Sequence, residues 1–519
     1  MPPQTTSVDD LLARLGLARP QDASPPAISP RPAAPMVRSV NPPAASVPSP
    51  PSEADLKRRE AEQRLKETLN RLKGTTPAVV HSDPIPTPDE TCAVDSAGHP
   101  APSPRYWPRS PRSLVEAGLT DADVTALVLK LLIPRGTEAG FKIATHLGLR
   151  FPVLEPVMRQ LKTDKLVVYK SSLTGGDYMY ELTDLGRERA RHLNEACTYY
   201  GTAPVPLSQY IQSVKAQTIT GLKPSLDAIR RAMGDLNINP GLLSTIGQAI
   251  HSGRGMFLFG APGNGKTSIA ERVTKSFGDT IWIPKCISSA GEIIRLFDPN
   301  RHKAVPVDDP GILDEVDGRW VHIERPTIVA GGELRMENLE ITVIRNTGIG
   351  EAPLQLKSNC GTLLIDDFGR QRMPVDELLN RWIIPLEQRH DFLQLESGRS
   401  IQVPFDELII FSTNLEPRDL VDDAFLRRIP YKIEVKDPTA AEFKSLMISL
   451  AQSMGFQCEA TIVDYLIQTH YTPVSRRFRF CHPRDLLRQV ENRCTLHHLQ
   501  RVVTREAIDQ AVGNYFSIM

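Results

Sequence analysis

Hydrophobic and polar positions divide the chain into stretches of different period. Before residue 113 large apolar residues are sparse, and leucines repeat at helical spacing only in Ser7–Leu17 and Ser52–Lys73, the second after a Ser-x-x-Asp start. From 113 to 197 a helical period predicts helices at Asp121–Leu132, Ala139–Leu147 and from Pro152 to about Lys162, the first ending before Ile133-Pro134-Arg135-Gly136. Strands follow at Leu166–Lys170 and Tyr178–Leu182 around a polar turn over Ser171–Asp177, and Thr183-Asp184 caps a closing helix. Further on, short apolar runs at Gly255–Phe259, 361–365 and Glu407–Asn414 predict buried strands. Leu378, Leu379, Trp382, Ile383 and Leu386 mark one face of a helix that Pro385 kinks. Asp391–Val403 predicts a hairpin with a two-residue turn at Ser397-Gly398. Asp298–Cys360, with strands at Arg319–Ile323 and Leu339–Val343 around Gly331-Gly332, predicts an inserted β-rich flap, either specific to the protein's task or only added packing.

Composition changes this picture at the amino end. Of 44 prolines, 22 lie before Arg112, mixed with Ala and Ser, so residues 1–112 are expected to be a mostly disordered tail. Its two helical segments are either transient helices or docking peptides. The chain carries 61 basic and 61 acidic residues, so a nucleic-acid or membrane partner would have to be met by a local patch. The opening MPPQTTSVDDLL has neither a basic nor an apolar region of a secretory leader, and no run of 18 apolar residues predicts a membrane span. Seven scattered cysteines without a CxxC pair fit reduced thiols in a cytoplasmic protein. Cys481, His482, Cys494, His497 and His498 match no zinc spacing. Arg476-Arg477-Phe478-Arg479 is expected to be a surface basic patch, either solvated or contacting phosphate or an acidic partner.

The sharpest chemistry begins at Gly260. Gly260-Ala-Pro-Gly-Asn-Gly-Lys266-Thr267 is a full G-x-x-x-x-G-K-[ST] pattern between a predicted strand and a predicted helix. Gly260, Gly263 and Gly265, with Asn264 and Ser268 in the same stretch, let backbone N–H groups turn toward phosphates. Lys266 would reach the β- and γ-phosphates of ATP, and the Thr267 hydroxyl would sit on Mg²⁺. The strand before Asp366-Asp367 ends as a Walker B strand should, with Asp366 toward the Mg²⁺ shell and Asp367 toward the attacking water.

These residues, with those that follow, resemble the AAA+ family of P-loop ATPases. Asn414 at the end of its strand resembles sensor 1. Asp423-Ala-Phe-Leu-Arg427-Arg428 resembles the stretch that carries an arginine finger, with Arg428 the first choice and Arg427 the second. His482-Pro-Arg484-Asp resembles the sensor 2 helix, with Arg484 on the nucleotide. The second Walker B position is usually Glu in that family; Asp367 is one methylene shorter, which makes slow or switch-like turnover plausible. The hairpin before sensor 1 resembles the pre-sensor-1 branch, and MoxR-type members above all, where it lines a pore or touches substrate; alternatively it only edges the sheet. The order of elements in 113–200 resembles a winged-helix domain, whose partner is DNA or protein. Its third helix offers few basic groups, namely Arg159, Lys162 and the flanking Arg150.

The resemblance implies an α/β parallel sheet with a helical lid, preceded by a winged-helix domain and a disordered tail. The expected divisions are 1–112, 113–200, 205–436 for the nucleotide-binding domain and 437–519 for the lid. It implies Mg²⁺-dependent hydrolysis of ATP in a homo-oligomeric ring, a hexamer by preference, that remodels a protein client. The alternatives are a DNA-associated loader or regulator and an ATP-dependent switch.

Overall fold

In the computed structural model, residues 106–173, 176–236, 238–307, 315–421 and 423–517 are described. The expected helical segments at 7–17 and 52–73, like the expected tail up to residue 105, lie outside them. Residues 106–112, assigned to that tail by their prolines, are instead bound into the fold. Tyr106 meets Trp320 and Trp107 meets Trp282, with ring centroids 5.8 and 5.3 Å apart, and Ser110 N–H donates to the Glu315 carbonyl at 2.7 Å. Two aromatic anchors outweigh the local proline content.

Residues 113–203 build one core, with Val124, Leu127, Ile143, Leu154, Met158 and Tyr180 among its buried side chains. Thr120 and Asp123 form a capping box that starts the helix Asp121–Arg135. This helix runs three residues past its expected end. Pro134 falls in the last turn, where a missing N–H costs one bond, and Gly136 N–H closes the turn on the Leu132 carbonyl at 2.9 Å. The helices Gly140–Leu147 and Phe151–Thr163 follow, then strands Val167–Ser172 and Tyr178–Leu182 and the helix Asp184–Ala196. Thr137–Ala139 adds a third strand beside Tyr178–Leu182, so the sheet has three strands where a hairpin was expected.

A parallel five-stranded sheet forms the centre of the chain. In chain order its strands are β1 (Met256–Phe259), β2 (Thr327–Ala330), β3 (Thr362–Ile365), β4 (Leu408–Thr413) and β5 (Tyr431–Glu434). In space they run β2-β3-β4-β1-β5. Period-two alternation buries both faces: Phe257, Leu363, Ile365 and Phe411 point to one core, Met256, Leu258, Leu364 and Ile410 to the other. All five carboxyl ends therefore lie on one edge, the place where open parallel sheets bind ligands.

The extra chain is distributed differently from the single flap expected over Asp298–Cys360. β2 lies inside that span and belongs to the central sheet. The strand after the glycine loop's helix, Thr280–Pro284, instead leaves it and pairs antiparallel with Trp320–Glu324. The strand expected at Leu339–Val343 is displaced: Met336–Leu339 forms a 3₁₀ turn and Thr342–Ile344 the strand. A second sheet runs Thr342–Ile344, Ile349–Glu351, Glu292–Arg295, Cys286–Ser289 and Val205–Pro206. Its last strand is the connector leaving the 113–203 core, so inserted strands and connector share one sheet.

A buried ion pair fastens the same junction. Arg319 and Asp317 meet at 2.7 Å, and the guanidinium also donates to the carbonyls of Ala117 (2.7 Å) and Pro204 (3.3 Å). The hairpin His390–Gln394 and Ser400–Pro404 turns through three residues, 396–398, rather than two. Gly398 at φ 77 supplies the left-handed position that a three-residue turn needs. The hairpin's inner face, Leu393, Leu395, Ile401 and Val403, is buried with Ile281 and Ile294 of the inserted strands. Its tip N–H groups, at Glu396 and Ser397, donate to the Glu292 carboxylate at 3.0 and 2.9 Å.

The helix Val375–Gln388 buries Leu378, Leu379 and Trp382 against the sheet. The C-terminal helices Ala440–Ser453, Ala460–Leu466, His482–Leu496 and Arg505–Tyr515 enclose a core of their own around Phe443, Met447, Leu486 and Ile508. Among the described residues no helix is long and apolar enough to cross a membrane.

Candidate functional site

At the carboxyl edge of the sheet, β1 passes into a loop of three glycines with positive φ and then into the helix Lys266–Val273. Two of the glycines are required by close approach as well as by φ. A Cβ at Gly260 would stand 2.6 Å from the Val435 carbonyl oxygen, and one at Gly263 2.5 Å from Cys481 Sγ. The loop is thus wedged between the end of β5 and the start of the helix His482–Leu496.

Lys266 is 7% exposed. Its ammonium donates to the carbonyls of Gly260 (3.0 Å) and Ala261 (3.1 Å) and to Asn414 Oδ1 (2.7 Å). Burial pushes its pKa below the ordinary lysine value, against the pull of Asp366 and Asp367. The neighbouring Thr267 hydroxyl donates to Asp366 Oδ2 at 2.9 Å. Asn414 Nδ2 donates to Asp367 Oδ1 at 3.3 Å, so one side chain spans Lys266 and Asp367. Register explains the meeting: Asp366 follows β3, Asn414 follows β4, and these strands pair in parallel. Asp367 stands at φ 49, a left-handed position that aspartate tolerates and that recurs at functional sites.

A cleft of about 960 Å³ opens over these groups, and Gly263, Asn264, Gly265, Lys266, Thr267 and Ser268 form its floor. Asp366, Asp367 and Asn414 line one side, and Arg484, more than half exposed, lines the other. Asn264 Oδ1 is buried without a hydrogen-bond partner. Gly260 is not among the residues that line the cleft. Arg427 and Arg428 are not brought to it. Arg427 borders a separate hollow with Arg418 and Lys432, and Arg428 Nε donates to Glu387 Oε1 at 2.6 Å.

The donor chemistry suits a magnesium nucleotide. The Thr267 hydroxyl and the Asp366 carboxylate, in contact at 2.9 Å, are hard oxygen donors of the kind Mg²⁺ takes alongside phosphate and water. Among the described residues no cluster of three or more His, Cys, Asp or Glu side chains could hold a metal by itself. His482 shares a hydrogen bond with the Tyr471 hydroxyl at 3.0 Å, while Cys494 is buried in the helical core.

The sequence did not single out Asp437, which follows β5. Its carboxylate accepts Asn264 Nδ2 at 2.7 Å and pairs with Arg479. The signal available was its position, since β5 ends on the same edge as every other motif. The basic run is also rearranged relative to the expected surface patch. Arg476 lies over the Phe516 ring at 3.7 Å and Arg479 faces Asp437, which leaves Arg477 exposed.

The C-terminal helices, residues 439–514, match a family described as a domain of unknown function, DUF8689. No curated protein is matched by the sequence. Similar solved structures include the RuvB Holliday junction branch migration motor of Thermotoga maritima, at 14% identity and TM-score 0.32, covering 56% of this chain and 74% of that one. NtrX from Brucella abortus is similar at 15% identity and TM-score 0.35, over 55% of this chain and 58% of that one. At that distance the residues of the cleft, rather than the neighbours, decide what the cleft can do.

Proposed function

We propose that this protein is an AAA+ ATPase that binds ATP with Mg²⁺ across the cleft and hydrolyses it. The carrying observation is the convergence of Lys266, Thr267, Asp366, Asp367 and Asn414 from three parallel strands onto one glycine loop. Loop N–H groups from Gly263 to Ser268 and the start of the helix Lys266–Val273 take the phosphates. Lys266 exchanges its carbonyl partners for phosphate oxygens. Thr267 and Asp366 hold Mg²⁺, which when bound offsets phosphate charge. Asp367, oriented by Asn414, holds the attacking water and takes its proton.

Arg428 acts as an arginine finger on a neighbouring subunit's nucleotide, with Arg427 as the second candidate, and Arg484 closes over the nucleotide from the lid. A shared site of this kind calls for a homo-oligomeric ring, with a hexamer favoured, in the cytoplasm. The work of the ring is to remodel a protein or protein complex. The 113–200 domain is a winged helix that meets a protein in preference to DNA. Two of the three basic groups at its third helix are engaged within the domain: Arg159 pairs with Glu155 at 2.7 Å and Lys162 lies over Tyr169 at 3.9 Å. The buried inner face of the hairpin leaves only its outer face, with Phe392 half exposed, for a client.

The first test is Lys266→Ala in an equilibrium titration with Mg·ATP. Removing the one buried cation of the loop is expected to weaken binding by about 100-fold or more. Affinity within a few-fold of the unsubstituted protein would end the nucleotide reading.

A further inference from the structure

Three segments of the cleft's rim are held by a single carboxylate. Asn264, in the glycine loop, donates Nδ2 to Asp437 Oδ1 at 2.7 Å and to the Val435 carbonyl at 3.3 Å. Arg479, just before the helix His482–Leu496, sets Nη1 against the same Asp437 oxygen. Asp437 itself is the joint between β5 and the helix Ala440–Ser453, whose capping box at Thr439 and Glu442 begins two residues later. The Arg479 and Asp437 side chains are 18% and 29% exposed, so water screens the pair only in part.

The segment carrying Arg479 is also bound to the loop directly. Cys481 N–H donates to the Gly263 carbonyl at 2.9 Å, and a Cβ on Gly263 would lie 3.8 Å from Arg479 Cβ. The guanidinium is close enough to disfavour the charge on Lys266. Two cations therefore stand at the loop, and Asp437 neutralises one of them. A nucleoside triphosphate brings several negative charges and oxygen pairs that fit a guanidinium fork. Asp437 offers a single negative charge for the same group.

We propose that Asp437 is an internal competitor for the nucleotide's phosphates: it holds Arg479 in the arrangement seen here and yields it to a bound triphosphate, so that the C-terminal helices follow the occupancy of the loop. This rests on the nucleotide reading above. Arg479 is then a phosphate-binding residue whose partner reports whether phosphate is present, and Asp437 is the positioning residue. Asp437 lowers affinity for ATP and in exchange ties the loop to the helical bundle.

The test is a titration of the full chain and three variants with Mg·ATP: Asp437→Asn, Arg479→Gln and the two combined. The asparagine keeps an oxygen for Asn264 and removes only the charge. Asp437→Asn is expected to tighten ATP binding about five- to tenfold, the lower range of site-to-site coupling. Arg479→Gln is expected to weaken binding, and the double variant to bind no tighter than Arg479→Gln alone. A purely structural role would give two weakened variants. Unchanged or weaker binding by Asp437→Asn overturns the proposal, as does a gain that survives in the double variant, since that gain would come from removing charge at a distance. Should Asp437→Asn fail to fold, hydrogen exchange on the unsubstituted chain decides. ATP is expected to alter protection at 437–443 and 479–485, and equal protection with and without ATP overturns the proposal. Failure of the unsubstituted chain to bind ATP at all would sink the nucleotide reading instead.

Discussion

On the sheet side of the cleft, Asp366 and Asn414 are each the first residue beyond a strand, and Lys266 opens the helix that follows a third. On the bundle side, Asp437, Arg479, Cys481 and Arg484 come from a joint, a loop and a helix start with no common register. Both sides carry cations and carboxylates, yet they are held in place differently. Parallel pairing of β3, β4 and β1 brings the strand ends that carry the sheet-side groups to one edge in fixed register. Side-chain contacts such as Asn264 to Asp437 set the bundle side, and those can exchange partners without unfolding a strand. The sheet wall is therefore suited to fixed chemistry and the bundle wall to movement.

That division would break if the two walls of one chain sufficed for turnover. Arg428 belongs to neither, and one of its partners here is Glu387 in the same chain. That ion pair is part exposed and worth no more than about 1 kcal/mol. Arg428→Ala is expected to bind ATP normally and to lose turnover by about 1000-fold, the lower range for arginine fingers. Mixing it with excess Asp367→Asn protein restores some steady-state activity, because mixed interfaces join an intact Arg428 to an intact Asp367. No recovery at any ratio, with subunit exchange verified, would leave turnover to the two walls of a single chain.

Asp367→Asn sharpens the comparison within the sheet wall itself. Thr267 and Asp366 remain in contact when only the neighbouring charge is removed, so Mg·ATP binding is expected to survive. Turnover falls by about 100-fold, the lower range for loss of a general base. A release assay for phosphate together with an ATP titration separates the two. Turnover that persists would move the water-activating role to another residue of the cleft.

The same contrast decides what was legible in the sequence. The run ending at Asp366 and the run ending at Asn414 are continuous apolar stretches with a polar residue at the carboxyl end, so pattern alone placed both on one edge. β2 was not legible as a central strand, because Thr280–Pro284 is equally apolar, comes earlier in the chain and pairs elsewhere. A strand's period carries its faces but not its partner. Asp437 and Arg479 escaped for a related reason. They lie 42 positions apart in the chain, and nothing local to either marks the other as its counterion. The aromatic anchoring of Tyr106 and Trp107 on Trp320 and Trp282 is long-range in the same way, and composition assigned these residues to the tail.

The smallest expected effect concerns the bundle wall and its dependence on pH. His482 opens the helix His482–Leu496 beside the glycine loop and contacts the Tyr471 hydroxyl at 3.0 Å. Burial, with the positive charges of Arg479 and Arg476 and against Asp485 and Asp437, lowers its pKa from 6.5 to about 4. The folded chain therefore keeps this imidazole neutral where the unfolded chain protonates it. Its contribution to stability is whole above pH 6.5 and declines as pH falls toward 4, because the unfolded state then binds the extra proton. At pH 5 the loss amounts to about 2 kcal/mol at most, a few degrees in the melting temperature of a domain this size. Thermal unfolding at pH 7.5 and pH 5 is expected to show that drop in the unsubstituted protein and a smaller one in His482→Gln. The sheet wall has no buried histidine at its motifs, so melting followed by Mg·ATP protection should respond less to the same acidification than melting of the C-terminal helices. Equal pH sensitivity of the histidine variant and the unsubstituted chain would show that acid loosens the bundle through its carboxylates, and would remove His482 from the account of that wall.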